Sequence, residues 1–175
     1  MMITLHSTAV NSFAPMLESL GEWLDKGAAH AARHKLDLIH ARLTPDMYTL
    51  AQQVQLACHH ARDAIGRLKG EPPADVADVA DTWPGLAEQL ASTLALLRNV
   101  STTALVGSDE RDCSIATTNG PRLVMNGVEL LRAWALPHFY FHVVTAYGIL
   151  RHNGVVLGKR DYLSQVGVFM EPKRS

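Results

Sequence analysis

Apolar residues recur along most of this chain at steps of three and four, the spacing that lines one face of an α-helix. From Ser7 to about Arg33 the set is Val10, Phe13, Met16, Leu17, Leu20 and Leu24. Pro15 lies near the start of that stretch, where proline is better tolerated, or else it kinks the first turns. A second helix is expected from Leu43-Thr44-Pro45-Asp46, with Thr44 as N-cap and Pro45 at the first helical position. Met47, Leu50, Val54, Ala57, Ala61, Ile65 and Leu68 then keep helical spacing, and Lys69-Gly70 supplies the stop. Glu71-Pro72-Pro73 to Asp81 is acidic and poor in large apolar groups, so it reads as a connection. Trp83-Pro84 opens a third helix through Leu86, Leu90, Leu94 and Leu97, ending near Asn99.

The pattern then changes. Cys113 to Thr118 and Arg122 to Met125 are short strand-like runs on either side of Asn119-Gly120-Pro121, which predicts a β-hairpin. Asn126-Gly127 precedes the last long helix, which Asn153-Gly154 ends. Pro137 removes one backbone donor inside it and should kink it just before His138. On one helical phase His138 and His142 share a face with Leu131, Trp134, Ala135, Thr145 and Ile149. Phe139, Tyr140, Val143, Val144 and Tyr147 make the other side apolar too, the pattern of a helix covered all round. Such a helix belongs at the centre of a bundle, at a subunit contact, or at both. The expectation is an all-α, up-down four-helix bundle with a small β-hairpin before the last helix, one domain over residues 1–175, and a homodimer formed through apolar helix surface.

Composition narrows the function classes. Of the 175 residues, 47% are hydrophobic and 19% charged, with a net charge of -1, so the chain can build a core and carries no electrostatic footprint for nucleic acid. No polybasic run favours a membrane surface, and no stretch is long and apolar enough to span one. The first residues lack a cationic segment followed by an apolar core, so a cytoplasmic protein is expected. Cys58 and Cys113 form no CxxC pair, which argues against a zinc knuckle or disulfide scaffold.

The 9 histidines are the unusual feature. His138 and His142, one turn apart on an inward stripe, can converge on one ion. A site with three protein ligands needs a third from another helix; His60 is the first choice, with His59 and Cys58 as alternatives. A divalent ion (zinc, nickel, iron or manganese) so held would activate water near neutral pH or polarise a small-molecule substrate. Thr145, Gln53 and Asp63 are candidates to orient the imidazoles. The competing reading makes His138 and His142 hydrogen-bonded core or interface residues of a metal-free helical dimer that binds a small ligand or serves as a stress-related interaction module. His30 and His34 have the same spacing but no apolar stripe beneath them, and Lys159-Arg160-Asp161 reads as local ion pairing or solvated surface more readily than as an anion site.

Longer strings carry a family resemblance. Leu24-Asp25-Lys26 with Ala28-Ala29-His30, Arg42-Leu43 with Pro45-Asp46-Met47, Gln53-Val54-Gln55, and Phe141-His142-Val143 through Thr145-Ala146-Tyr147 are among them. So are Ile149 to Val155 and Gly158-Lys159-Arg160-Asp161. With them the chain resembles the DinB/YfiT-like superfamily of bacterial four-helix-bundle proteins, many of them metal-dependent enzymes by assignment, and within it the domain-of-unknown-function family nineteen ninety-three. That resemblance implies a metal set of one histidine on the second helix, His60 or His59, and the HxxxH pair His138 and His142. It implies a transferase or isomerase dependent on a low-molecular-weight thiol, and a metal-dependent hydrolase is the other activity expected of such a site. Val143-Val144-Thr145 stands where the superfamily often continues with Arg-Gly-Gln.

Overall fold

The computed structural model describes residues 3–117 and 120–169. Helix α1 is Leu5–His34, opened by a capping box in which Thr4 Oγ1 accepts from the Ser7 amide at 3.1 Å. Pro15 lies well inside α1 without ending it, and the Ser19 hydroxyl donates to the Pro15 carbonyl at 3.1 Å. Helix α2 is Leu50–Lys69, so the expected start at Thr44-Pro45 is corrected. Thr49 is the cap instead: its Oγ1 accepts from the Gln52 amide at 3.3 Å, and Gln52 Oε1 accepts from the Thr49 amide at 3.0 Å. The first helical amides are also engaged from outside, Leu50 by the Ala41 carbonyl and Ala51 by that of Ile39. These bonds satisfy donors that a helix start leaves orphaned, and Pro45 is left in a turn. Gly70, at φ 84, ends α2 as expected.

Helix α3, Trp83–Arg98, has the expected bounds, with Thr82 as cap and Asn99 at its end. Strands β1, Cys113–Ile115, and β2, Leu123–Met125, pair antiparallel with Cys113 opposite Met125 and Ile115 opposite Leu123. Asn119 of the turn signal lies outside the described residues.

Helix α4 is a continuous run in three parts: Gly127–Glu129, a π-helical segment Leu130–Ala135, and Leu136–His152. Asn126 caps it, accepting from the Glu129 amide at 2.9 Å. At its first residue, a Cβ on Gly127 would sit 1.8 Å from the Ser108 carbonyl oxygen, so only glycine allows this approach. The π segment shows how Pro137 is accommodated. The Leu136 amide bonds the Leu131 carbonyl, five residues back, so the wider turn is complete just before the residue that has no amide to give. The extra residue shifts the phase between Leu131 and His138, and a single helical phase does not run through α4.

Helices α1 and α2 each pack against both α3 and α4, while α1 and α2 meet little, so helices consecutive in sequence occupy opposite corners for α1–α2 and for α3–α4. The long connections 35–49 and 99–126 make these crossings feasible. Phe13, Leu17, Leu20, Trp23, Leu50, Ile65, Leu68, Leu86, Leu97, Leu130 and Phe139 form the buried centre, with Phe13 and Phe139 edge-on at 4.9 Å. The expectation that α4 is covered all round fails within one chain: Phe141 is 56% and Val144 48% exposed, because both lie on the side away from α1 and α2.

After α4 the chain folds back on α1 as a short helix α5, Lys159–Tyr162, and a 3-10 helix, Ser164–Phe169. Tyr162 stacks on Trp23, whose Nε1 donates to the Asp161 carbonyl. Asp161 pairs with Lys26 and accepts from the Gly158 amide, so this charged run acts as a local tether, in line with the ion-pair reading.

Candidate functional site

The contact between α2 and α4 brings His60 against both histidines of the HxxxH pair. Its ring centroid lies 4.9 Å from that of His138 and 5.3 Å from that of His142, almost parallel to the latter. His59, on the neighbouring phase of α2, meets His60 edge-on at 5.3 Å. His142 is buried and the other three are half-buried.

Two of these rings are oriented from behind. His142 Nδ1 lies 2.8 Å from Gln53 Oε1, and Gln53 Nε2 donates to the Tyr48 carbonyl at 3.3 Å. A carbonyl only accepts, so the amide end facing Tyr48 is the NH2 and the end facing His142 is the oxygen. His142 Nδ1 therefore carries the proton and Nε2 is bare. His138 Nδ1 donates to the Trp134 carbonyl at 2.8 Å, an oxygen on the π segment, and its ring lies 4.2 Å from that of Trp134. The His60 side chain makes no hydrogen bond among the described residues. His59 Nδ1 is buried with no partner among the described residues.

Of the three candidates to orient the imidazoles, Gln53 is the one engaged. Thr145 Oγ1 donates to the Phe141 carbonyl instead, and Asp63 is held by Arg67 and the Ala74 amide. Partners of the other histidine, the Trp134 carbonyl and the π segment that carries it, left no mark in the sequence pattern.

Burial first, and then the neighbouring His142, His138 and His59, push His60 down to about 3; burial, then His138 and His59, push His142 down to about 4. Both imidazoles are neutral at physiological pH, the form in which histidine is a base or a ligand. Cys58 takes no part. It is wholly buried beside Thr93 on α3, and burial raises its thiol to about 12, so it is a protonated core residue. The His30–His34 pair also stays apart, with His30 Nε2 hydrogen-bonded to the Asn153 carbonyl at 3.1 Å, a strut between α1 and the end of α4.

In kind and neighbourhood this set suits a divalent ion: imidazoles from two helices, two of them with Nδ1 turned to protein oxygens so that Nε2 is the nitrogen left toward the cluster. It is not closed. Among the described residues no group of three or more His, Cys, Asp or Glu side chains is gathered so as to hold a metal ion. Of the three rings, His60 is the one without a hydrogen-bond anchor among the described residues. A cavity of about 630 Å³ lies elsewhere, between the start of α1, residues 102–109 and the first turns of α4. Its histidine, His6, is already bonded to the Val100 carbonyl, whereas among the described residues the buried histidine nitrogen without a partner, His59 Nδ1, is in the α2–α4 cluster.

A helical bundle with a histidine cluster between its second and last long helices is thus the class of protein defined by fold and site. The chain matches the family described as Domain of unknown function (DUF1993) over residues 5–163. It is also similar to a crystal structure of a DinB family member protein from Shewanella denitrificans, with 34% identity, a TM-score of 0.80, and coverage of 98% of this chain and 95% of that one. No curated protein matches. The chain belongs to the DUF1993 family of DinB-like proteins. No helix among the described residues is long and apolar enough to cross a membrane.

Proposed function

We propose that this protein is a metal-dependent enzyme whose divalent ion is held by His60, His138 and His142. The observation that carries the reading is the meeting of three imidazoles from α2 and α4, two of them with their protons committed to protein oxygens so that Nε2 is bare. An ion held by three protein groups keeps an open position, where it would act as a Lewis acid on a small-molecule substrate or activate water. Hydrolysis, and transfer or isomerisation with a low-molecular-weight thiol, are the reaction types within reach. The protein's own part is to keep His60 and His142 neutral and to aim His138 and His142. Exposed Phe141, whose ring meets that of His142 edge-on at 5.4 Å, and exposed Val144 on the same helix offer a subunit contact in a homodimer.

The exposed apolar face of α4 and the unclosed donor set also favour a second reading, a metal-free dimer that binds a small ligand. Elemental analysis of untagged protein purified without chelator separates the two. The metal reading expects near-stoichiometric zinc, nickel, iron or manganese in the parent and its loss in folded His138→Ala and His142→Ala. A parent that stays empty after incubation with these ions sinks it.

A further inference from the structure

We infer that Gln53 is a positioning residue that locks His142 into the tautomer presenting Nε2 to the cluster. The inference rests on the metal reading for its purpose, though not for its geometry. Gln53 is 1% exposed, so no solvent competes for its amide, and both ends are used. The NH2 end is tied to the Tyr48 carbonyl, in the segment just before α2, and this decides which way the amide faces. The oxygen end then demands a donor from His142. Reversing the His142 tautomer would place two acceptors face to face in a buried site, and flipping the amide would set its oxygen against the Tyr48 carbonyl. Neither can change alone.

The choice of a neutral amide has its own consequence. A carboxylate at this position would add negative charge behind the ring, whereas glutamine orients it without changing the charge of the site. Control is also uneven across the cluster. His138 is aimed by a main-chain carbonyl that no side-chain substitution removes, and His60 by no hydrogen bond among the described residues, so Gln53 is the side chain through which the geometry of the site is adjustable.

The experiment is long-range proton–nitrogen NMR of the His142 ring in chelator-treated protein near pH 7.5, with zinc affinity measured alongside. The parent should show the proton on Nδ1. Gln53→Leu and Gln53→Met, near in size and lacking an acceptor, should revert toward the tautomer mixture of an unrestrained imidazole and bind zinc about 10–100-fold more weakly. Gln53→Glu, which with its carboxyl protonated can both accept from His142 and donate to the Tyr48 carbonyl, should keep the Nδ1 proton and most of the zinc affinity. Unchanged tautomer in the two apolar variants overturns the lock. A changed tautomer with unchanged zinc affinity overturns the positioning role. If the parent binds no zinc the metal reading falls, and the tautomer measurement then decides the lock by itself. Circular dichroism and thermal unfolding confirm which variants are folded; three substitutions at one site keep the comparison intact if one of them is not.

Discussion

Two polar clusters sit one turn apart on α2 and differ in how completely they are satisfied. At Asp63, one carboxylate oxygen takes Arg67 Nε at 2.6 Å, the other takes the Ala74 amide at 3.0 Å, and Arg67 reaches on to the Ser114 carbonyl at 2.9 Å. Those bonds pin the connection after α2 and strand β1 to the helix. At His59 and His60, by contrast, one ring has a buried nitrogen without a partner and the other makes no side-chain bond among the described residues. A closed network does structural work and has nothing left to offer a ligand. Buried polar atoms left open are uncommon, and one that lies among further imidazoles, as His59 Nδ1 does, is where a ligand is to be sought.

The comparison breaks most readily at the closed end. Asp63→Ala leaves the Arg67 guanidinium, 12% exposed, without its counter-charge. It should cost about 3–5 kcal/mol in urea unfolding, whereas replacing the pair together by leucine and methionine should cost less, since it strands no charge and frees only the Ala74 amide and the Ser114 carbonyl. A small loss in the single variant would show that this network is not the fastening it resembles.

Acid sharpens the contrast at the open end. His60 and His142 have folded pKa values of about 3 and 4, below the 6.5 of an ordinary imidazole. Between roughly pH 6.5 and 4.5 the unfolded chain therefore binds more protons than the folded one, so stability falls as pH falls through that window and is fully present above it. In chelator-treated protein the urea midpoint should drop over this range, and a folded His60→Gln, His142→Gln variant should flatten the curve. A parent midpoint that is level from pH 7.5 to 4.5 would contradict the depressed values.

The smallest effect is expected at a histidine that is already satisfied. His30→Ala removes one bond to the Asn153 carbonyl and should cost about 1 kcal/mol, with metal content unchanged. Loss of metal there would mean that the wrong HxxxH pair has been assigned.

Much of this architecture is legible in the periodicity, because α3 and both ends of α4 carry local signals: Thr82, Asn99, Asn126 and Asn153 stand at their boundaries. The start of α2 was not, since Thr44-Pro45 and Thr49 are rival signals five positions apart. Long-range bonds from Leu50 and Ala51 to the Ala41 and Ile39 carbonyls accompany the second. The π segment escaped for a related reason. Proline marks a place where an α-helix must adjust, and whether it bends or widens depends on the packing around it. The grouping of His60 with His138 and His142 was readable from helical phase joined to family resemblance. Choosing Gln53 over Thr145 and Asp63 was not, because the His142–Gln53 bond exists only where α4 packs on α2, whereas Thr145 and Asp63 find partners within their own helices, the Phe141 carbonyl and Arg67.

The bond from His142 to Gln53 joins residues 89 positions apart. Bringing such distant points together costs loop-closure entropy that no local contact offsets, so contacts of this kind slow folding and depend on the long-range packing being in place. During synthesis α2 emerges well before α4 exists. Until α4 docks, His59 and His60 face a surface that has not yet been made. The histidine cluster is therefore a property of the completed topology, and a chain that stalls short of closure is without the site as well as the fold.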